Sequence, residues 1–188
     1  MILAAVYKST TDPGLKKLVL RSYASTGDRD AVYAIAKSDA DPAMRREAIQ
    51  QLGSMGAHTQ LGELYGSESS TEVRGTIMRG MMSAGSSSKL IEIAKAEKDP
   101  ALRQLAIQYL GGVHSPAAAE ALVSMYQSGS DTEMRRRILK SLASQNSAKQ
   151  LIEVAKTEKD QDLRRQAVEH LTHMRSPEAT AFLTELLK

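Results

Sequence analysis

Apolar positions along the chain fall into short stripes at helical spacing, and the stripes come in pairs. Met44, Ala48, Ile49 and Leu52 lie at i, i+4, i+5 and i+8, and Leu102, Ala106, Ile107 and Leu110 repeat those intervals. A period near 3.6 puts such residues on one face of a helix. A small or turn-forming residue follows, as at Gly27, Gly56, Gly85 and Asn146, the types that end helices in a left-handed conformation. Then comes a second stripe: Val32, Ile35 and Ala36; Leu61, Leu64 and Tyr65; Leu90, Ile93 and Ala94; Leu122, Met125 and Tyr126; Leu151, Val154 and Ala155; Leu183, Leu186 and Leu187. No stretch alternates with period two, so the expected fold class is all-α.

The pairs are periodic. Asp12-Pro13-Gly14-Leu15-Lys16 returns as Asp41-Pro42-Ala43-Met44-Arg45, Ser70-Thr71-Glu72-Val73-Arg74, Asp99-Pro100-Ala101-Leu102-Arg103, Asp131-Thr132-Glu133-Met134-Arg135 and Asp160-Gln161-Asp162-Leu163-Arg164. The first residues are separated by 29, 29, 29, 32 and 29 positions, and the three extra residues fall around Ser115-Pro116-Ala117-Ala118-Ala119. Asp or Ser at the first position caps a helix by accepting from free backbone amides, a contribution of about 1 kcal/mol. Pro13, Pro42 and Pro100 follow at the first helical position, where a missing N–H costs nothing. Each unit is therefore a helix, a turn and a second helix. One such hairpin cannot bury both stripes, but stacked on its neighbours it can.

The expectation is one domain over residues 1–188, with hairpins starting at 12, 41, 70, 99, 131 and 160. Residues 1–11 read as the second helix of a truncated unit, because Leu3, Val6 and Tyr7 align with Leu90, Ile93 and Ala94. Met1, Ile2, Leu3 and Val6 would leave that edge apolar. The chain is accordingly expected to be part of a longer protein, or to self-associate end to end there. Gly75 and Gly80 lie inside the first helix of the third unit, which is expected to be the least stable interior helix.

The repeats resemble the HEAT-like family, in particular the short variety found in bilin lyase subunits and many bacterial scaffold proteins. Residues 41–53 carry the resemblance most fully and residues 99–111 nearly as well; it extends over essentially the whole chain. It implies a right-handed α-solenoid whose second helices line the concave face, and protein binding as the commonest role. It does not by itself imply one function.

Composition narrows the chemistry. Of 188 residues, 41% are hydrophobic and 25% charged, which suits a globular chain. With no cysteine there is no disulfide, thiol nucleophile or thiolate metal site. Aromatic residues are 4% of the total and tryptophan is absent, leaving little to stack on bases. The net charge of +3 is a mild excess that does not point to nucleic acid. No apolar run suits a membrane span. The start of the chain lacks the basic leader and cleavage site of a signal peptide.

Several constellations are candidate sites. Lys16, Arg45, Arg74, Arg103, Arg135 and Arg164 occupy one repeat position. They read as a structural ladder with the cap aspartates Asp12, Asp41, Asp99, Asp131 and Asp160, or alternatively as a stripe for phosphates. Of the histidines His58, His114, His170 and His173, the last two stand three apart beside Glu169 with no third ligand, so no metal is expected. Glu63, Glu92, Glu153 and Glu185 recur at one position, too far apart for paired-carboxylate hydrolysis. Glu92 with Lys95, Glu153 with Lys156 and Glu185 with Lys188 read as i, i+3 surface pairs.

Tyr33, Ile91, Val123 and Ile152 each follow the first core residue of a second helix, about 100° around the wheel. With Glu92, Lys95, Glu153 and Lys156 they outline a candidate groove. The function expected is a non-catalytic scaffold that binds a protein or peptide on this face, with no cofactor. Its alternatives are nucleic-acid backbone binding through the basic positions and service as an accessory subunit of an enzyme.

Overall fold

A computed structural model describes residues 2–129 and 131–187; Met1 and Lys188 lie outside the described residues, and with them their parts in the apolar edge and the Glu185 pair. Among the described residues there are thirteen α-helices and no strand. In chain order they are α1 (Ile2–Ser9), α2 (Pro13–Ser25), α3 (Arg29–Ser38), α4 (Pro42–Ser54), α5 (His58–Ser67), α6 (Thr71–Ala84) and α7 (Ser87–Ala96). There follow α8 (Pro100–Leu110), α9 (Pro116–Ser128), α10 (Thr132–Ser144), α11 (Ala148–Thr157), α12 (Gln161–Thr172) and α13 (Pro177–Leu186).

Every repeat begins where its cap residue stands. The Asp12, Asp41 and Asp99 carboxylates each accept from the backbone amide two residues on at 2.8 Å, and those of Asp131 and Asp160 do so at 2.9 Å. Ser70 reaches Val73 at a longer 3.4 Å. The turns inside the hairpins also fall as expected. Gly27, Gly56 and Gly85 have φ of +78°, +63° and +73°, and Asn146 has +57°, a region that costs other L-residues roughly 1–2 kcal/mol. The three extra residues of the fourth unit lengthen α9 to 13 residues, against 10 in α7 and α11. The added turn buries Ala118 and Ala119.

The chain divides into two compact units, Met1–Ser86 and Ser87–Lys188. In the first, α2, α4 and α6 pack in succession, and α3 and α5 each pack against the first helices on either side of them in sequence. Its core is built from Leu20, Met44, Ile49, Leu52, Leu61, Ile77, Met78 and Met81. In the second, α8, α10 and α12 form one layer and α7, α9, α11 and α13 the other, over Leu90, Ile107, Leu110 and Leu122. Each unit thus has the local arrangement of an α-solenoid.

The last stripe departs from expectation. Leu183 is half-buried, and Leu186 and Leu187 are 55% and 89% exposed, whereas Ala179 and Phe182 are buried. Among the described helices α13 packs on α11 and α12, so only the side carrying Ala179 and Phe182 meets a neighbour.

Gly80 has a positive role as well as its cost in helix propensity. A Cβ on Gly53 would lie 2.8 Å from the Gly80 carbonyl oxygen and 2.9 Å from its Cα. Helices α4 and α6 therefore cross with their backbones in contact. In the second unit Gly111 approaches the Ser141 Cα in the same manner, at 2.9 Å from its virtual Cβ. Gly53→Ala should accordingly destabilise the protein by about 1–3 kcal/mol through overpacking. Gly66→Ala, at a helical glycine with open space around it, should be neutral or stabilise by up to about 1 kcal/mol. Chemical denaturation of the two variants checks this, and a Gly53→Ala protein as stable as the parent would contradict the crossing.

Candidate interaction surface

The basic residue of each repeat lies near the loop that leads into its first helix. The Lys16 ammonium is 3.4 Å from Asp39 Oδ2. The Tyr7 hydroxyl donates to the same oxygen at 2.7 Å, and the Asp41 amide donates to Asp39 Oδ1 at 2.8 Å. The second unit repeats this arrangement. Arg135 pairs with Glu158 Oε2, Tyr126 donates to that oxygen at 2.5 Å, and the Asp160 amide donates to Oε1 at 2.7 Å. Each cation also lies over its tyrosine ring, at 5.1 Å for Lys16 and 4.4 Å for Arg135.

This corrects the expected ladder. In both ion pairs the acid stands two residues before the next cap, and the cap aspartates turn their carboxylates onto helix amides. Arg45 and Arg103 donate instead to the Asp39 and Glu97 carbonyls, at 2.7 and 3.5 Å, and Arg74 lies 4.2 Å over the Tyr65 ring. A residue five positions before each cap decides between these arrangements. It alternates as Tyr7, Ala36, Tyr65, Ala94, Tyr126 and Ala155. Among the described residues the Arg164 guanidinium has no hydrogen-bond or ion-pair partner, and only the Arg164 backbone amide is bonded, to the Asp160 carbonyl at 2.9 Å.

Electrostatics follow from the geometry. Burial, the bond to a carboxylate and its charge push the Tyr7 and Tyr126 hydroxyls far above the usual tyrosine value. Burial would raise Asp39 and Glu158 as well. The tyrosine hydroxyl, the backbone amides and the adjacent cation outweigh it and hold both carboxyls below their usual range.

On the second helices, Tyr33, Ile91 and Ile152 are half-buried, while Glu92, Lys95, Glu153 and Lys156 are exposed. Val123 is only 8% exposed; the packing of α9 between α7 and α11 removes it as a contact residue. The Tyr33 hydroxyl donates to Glu63 at 2.8 Å, joining α3 to α5. Two expected surface pairs have other partners. Glu92 bonds Lys89, on the turn before it, at 2.7 Å rather than Lys95 on the turn after. Glu153 accepts from Gln127 of α9 at 3.4 Å, and Lys156 lies over the Phe182 ring at 5.6 Å, so contacts between hairpins replace contacts along one helix.

Two of the four histidines are bonded to the fold. His58 Nδ1 is 2.5 Å from the Ser86 hydroxyl, and His173 Nδ1 is 2.8 Å from the Glu169 carbonyl of its own helix. Burial holds the His170 imidazole below its usual value against the opposing charge of Glu169. Among the described residues no three His, Asp or Glu side chains are grouped to hold a metal ion, and no helix is long and apolar enough to cross a membrane.

Residues 87–151, from α7 into α11, match the family model for HEAT repeats. No curated protein matches the chain by sequence. Among solved structures it is similar to the complex of CpcE and CpcF of phycocyanin lyase from Nostoc sp. PCC7120, at 16% identity and a TM-score of 0.42, covering 97% of this chain and 91% of that one.

A depressed carboxyl contributes stability above its unfolded pKa, near 4 for these side chains, and that contribution is lost as pH falls through the folded value. The protein should therefore lose stability below about pH 4. Glu158→Gln should lower stability at neutral pH and reduce its slope in the acid range. Denaturation midpoints from pH 7 to 3 test this, and parallel profiles for parent and variant would contradict the Glu158 assignment.

Proposed function

We propose that this protein is a non-catalytic scaffold that binds a protein or peptide partner on the second-helix face of its repeats. The observation that carries the proposal is the surface of α7 and α11. The half-buried Ile91 and Ile152 are flanked there by exposed Glu92, Lys95, Glu153 and Lys156. Apolar area open to contact rewards its removal from water by about 25 cal/mol per Å², and charges of both signs around it favour one orientation of a partner. HEAT repeats as a class support the same reading, since a stack of hairpins offers a continuous face to an extended segment or a helix.

The basic column does not favour nucleic-acid binding. Lys16 and Arg135 are held by buried carboxylates and Arg45 and Arg103 by carbonyls, which leaves few members of that column for phosphates.

Ile91→Ser combined with Ile152→Ser should abolish capture of a partner by the full chain. Each single change should cost about 1 kcal/mol, less than the ~2–5 kcal/mol of a fully buried large-to-small change. Partner capture by parent and double variant, with unfolding curves for each, decides the matter. Undiminished capture, or a stability loss above about 3 kcal/mol in both single variants, would overturn the proposal. Capture that collapses between low and moderate salt would point to phosphate contacts instead.

A further inference from the structure

An open groove of about 720 Å³ lies among α11, α12 and α13 in the second unit. Its apolar surface comes from Val168, Phe182 and Leu186, and its cations are Lys156, Arg164 and Arg165. The acid in its lining, Asp162, is already bonded to Arg165 at 3.1 Å. The groove therefore carries excess positive charge beside exposed apolar area, with Leu186 open to solvent.

The repeat shows what such a place accepts. Arg164 is the positional equivalent of Arg135, whose guanidinium takes the Glu158 carboxylate against the Tyr126 ring. Beside Arg164 the tyrosine is replaced by Ala155, which opens space. Arg45 and Arg103 also stand opposite alanine but turn to a backbone carbonyl. Arg164 is exposed, lines the groove and makes neither bond.

We propose that this groove binds an acidic, amphipathic peptide segment of another protein. A carboxylate of the segment pairs with Arg164 as Glu158 pairs with Arg135, and apolar side chains of the segment cover Leu186 and the half-buried Val168. Charge complementarity selects this occupant over a second copy of the chain. The apolar face formed by Leu3, Val6, Leu15 and Leu18 in the first unit has no carboxylate in its lining, and its one charged residue, Arg21, is a cation paired with Glu47 at 4.0 Å. Docking that face here would leave Arg164 without an acid. The inference rests on reading the protein as a protein-binding scaffold, but it does not need the Ile91–Ile152 face.

The test uses the full chain and a fluorescein-labelled helical peptide of Leu and Glu, with a Leu and Gln peptide, polyglutamate, inorganic phosphate and a single-stranded oligonucleotide as competitors. Fluorescence anisotropy should show binding of the Leu–Glu peptide. Arg164→Glu should weaken it about tenfold or more, a difference of about 1.4 kcal/mol, and the exposed-site variant Leu186→Ser should weaken it several-fold. Ile91→Ser should leave it unchanged. An unaltered affinity in Arg164→Glu overturns the proposal. So does equal competition by phosphate, which marks a bare anion site, or by polyglutamate or the oligonucleotide, which marks unspecific charge. Concentration-dependent oligomers that Leu186→Ser dissociates and the peptide does not would assign the groove to a second copy. If the peptide binds as described while Ile91→Ser with Ile152→Ser retains its partner, the second-helix reading fails and this one stands.

Discussion

A helical hairpin of some thirty residues carries two apolar stripes and can bury only part of them against itself. Everything else in this protein follows from that shortage. In the first unit α2, α4 and α6 stack on one another, with α3 and α5 packed against them. In the second unit α8, α10 and α12 stack in this way, as do α7, α9, α11 and α13. Residues at the seams, such as Leu102, Ile107, Leu110 and Leu122, become fully or almost fully inaccessible. Where a helix meets a neighbour on one side only, the same sequence pattern leaves Leu186 and Leu187 in solvent.

Apolar stacking alone is tolerant of slippage, and the buried carboxylates restrict it. Asp39 and Glu158 each gather a tyrosine hydroxyl, a cation and the backbone amide two residues on. A charge buried this far is stabilised only if all its partners arrive together. The tyrosine and the cation come from one hairpin boundary and the acid from the next. The arrangement thus measures one repeat length. Its tyrosine alternates with alanine, so successive hairpins alternate in chemistry although they are alike in shape. The backbone contact of Gly53 with Gly80 adds a second constraint on spacing, because nothing larger than hydrogen fits there.

Much of this was legible in the sequence because it depends on local backbone chemistry. A cap aspartate followed by proline fixes a helix start wherever it occurs, and glycine or asparagine fixes the turn. The stripes of Met44 to Leu52 and Leu102 to Leu110 needed only helical geometry. What was missed depends on neighbours. The acids that meet Lys16 and Arg135 stand 23 residues further on, outside any single helix, and the cap aspartates beside them were the more obvious choice. The signal was present in the intervals: Tyr7, Lys16 and Asp39 share their spacing with Tyr126, Arg135 and Glu158, and with Tyr65, Arg74 and Glu97. The burial of Val123 has the same origin, since its position on the helix wheel does not reveal how closely α9 approaches α7 and α11. The groove beside Arg164 could be found only by asking which member of the basic column has no side-chain bond.

The account rests on the claim that the buried carboxylate and its cation act as one unit joining consecutive hairpins. A double-mutant cycle in chemical denaturation tests it directly, with Arg135→Met, Glu158→Gln and the two combined. The account predicts strong coupling, on the order of 1–3 kcal/mol, with the double variant more stable than the sum of the single losses implies. Additive losses, with a coupling below about 0.5 kcal/mol, would mean that the two side chains do not hold the hairpins together.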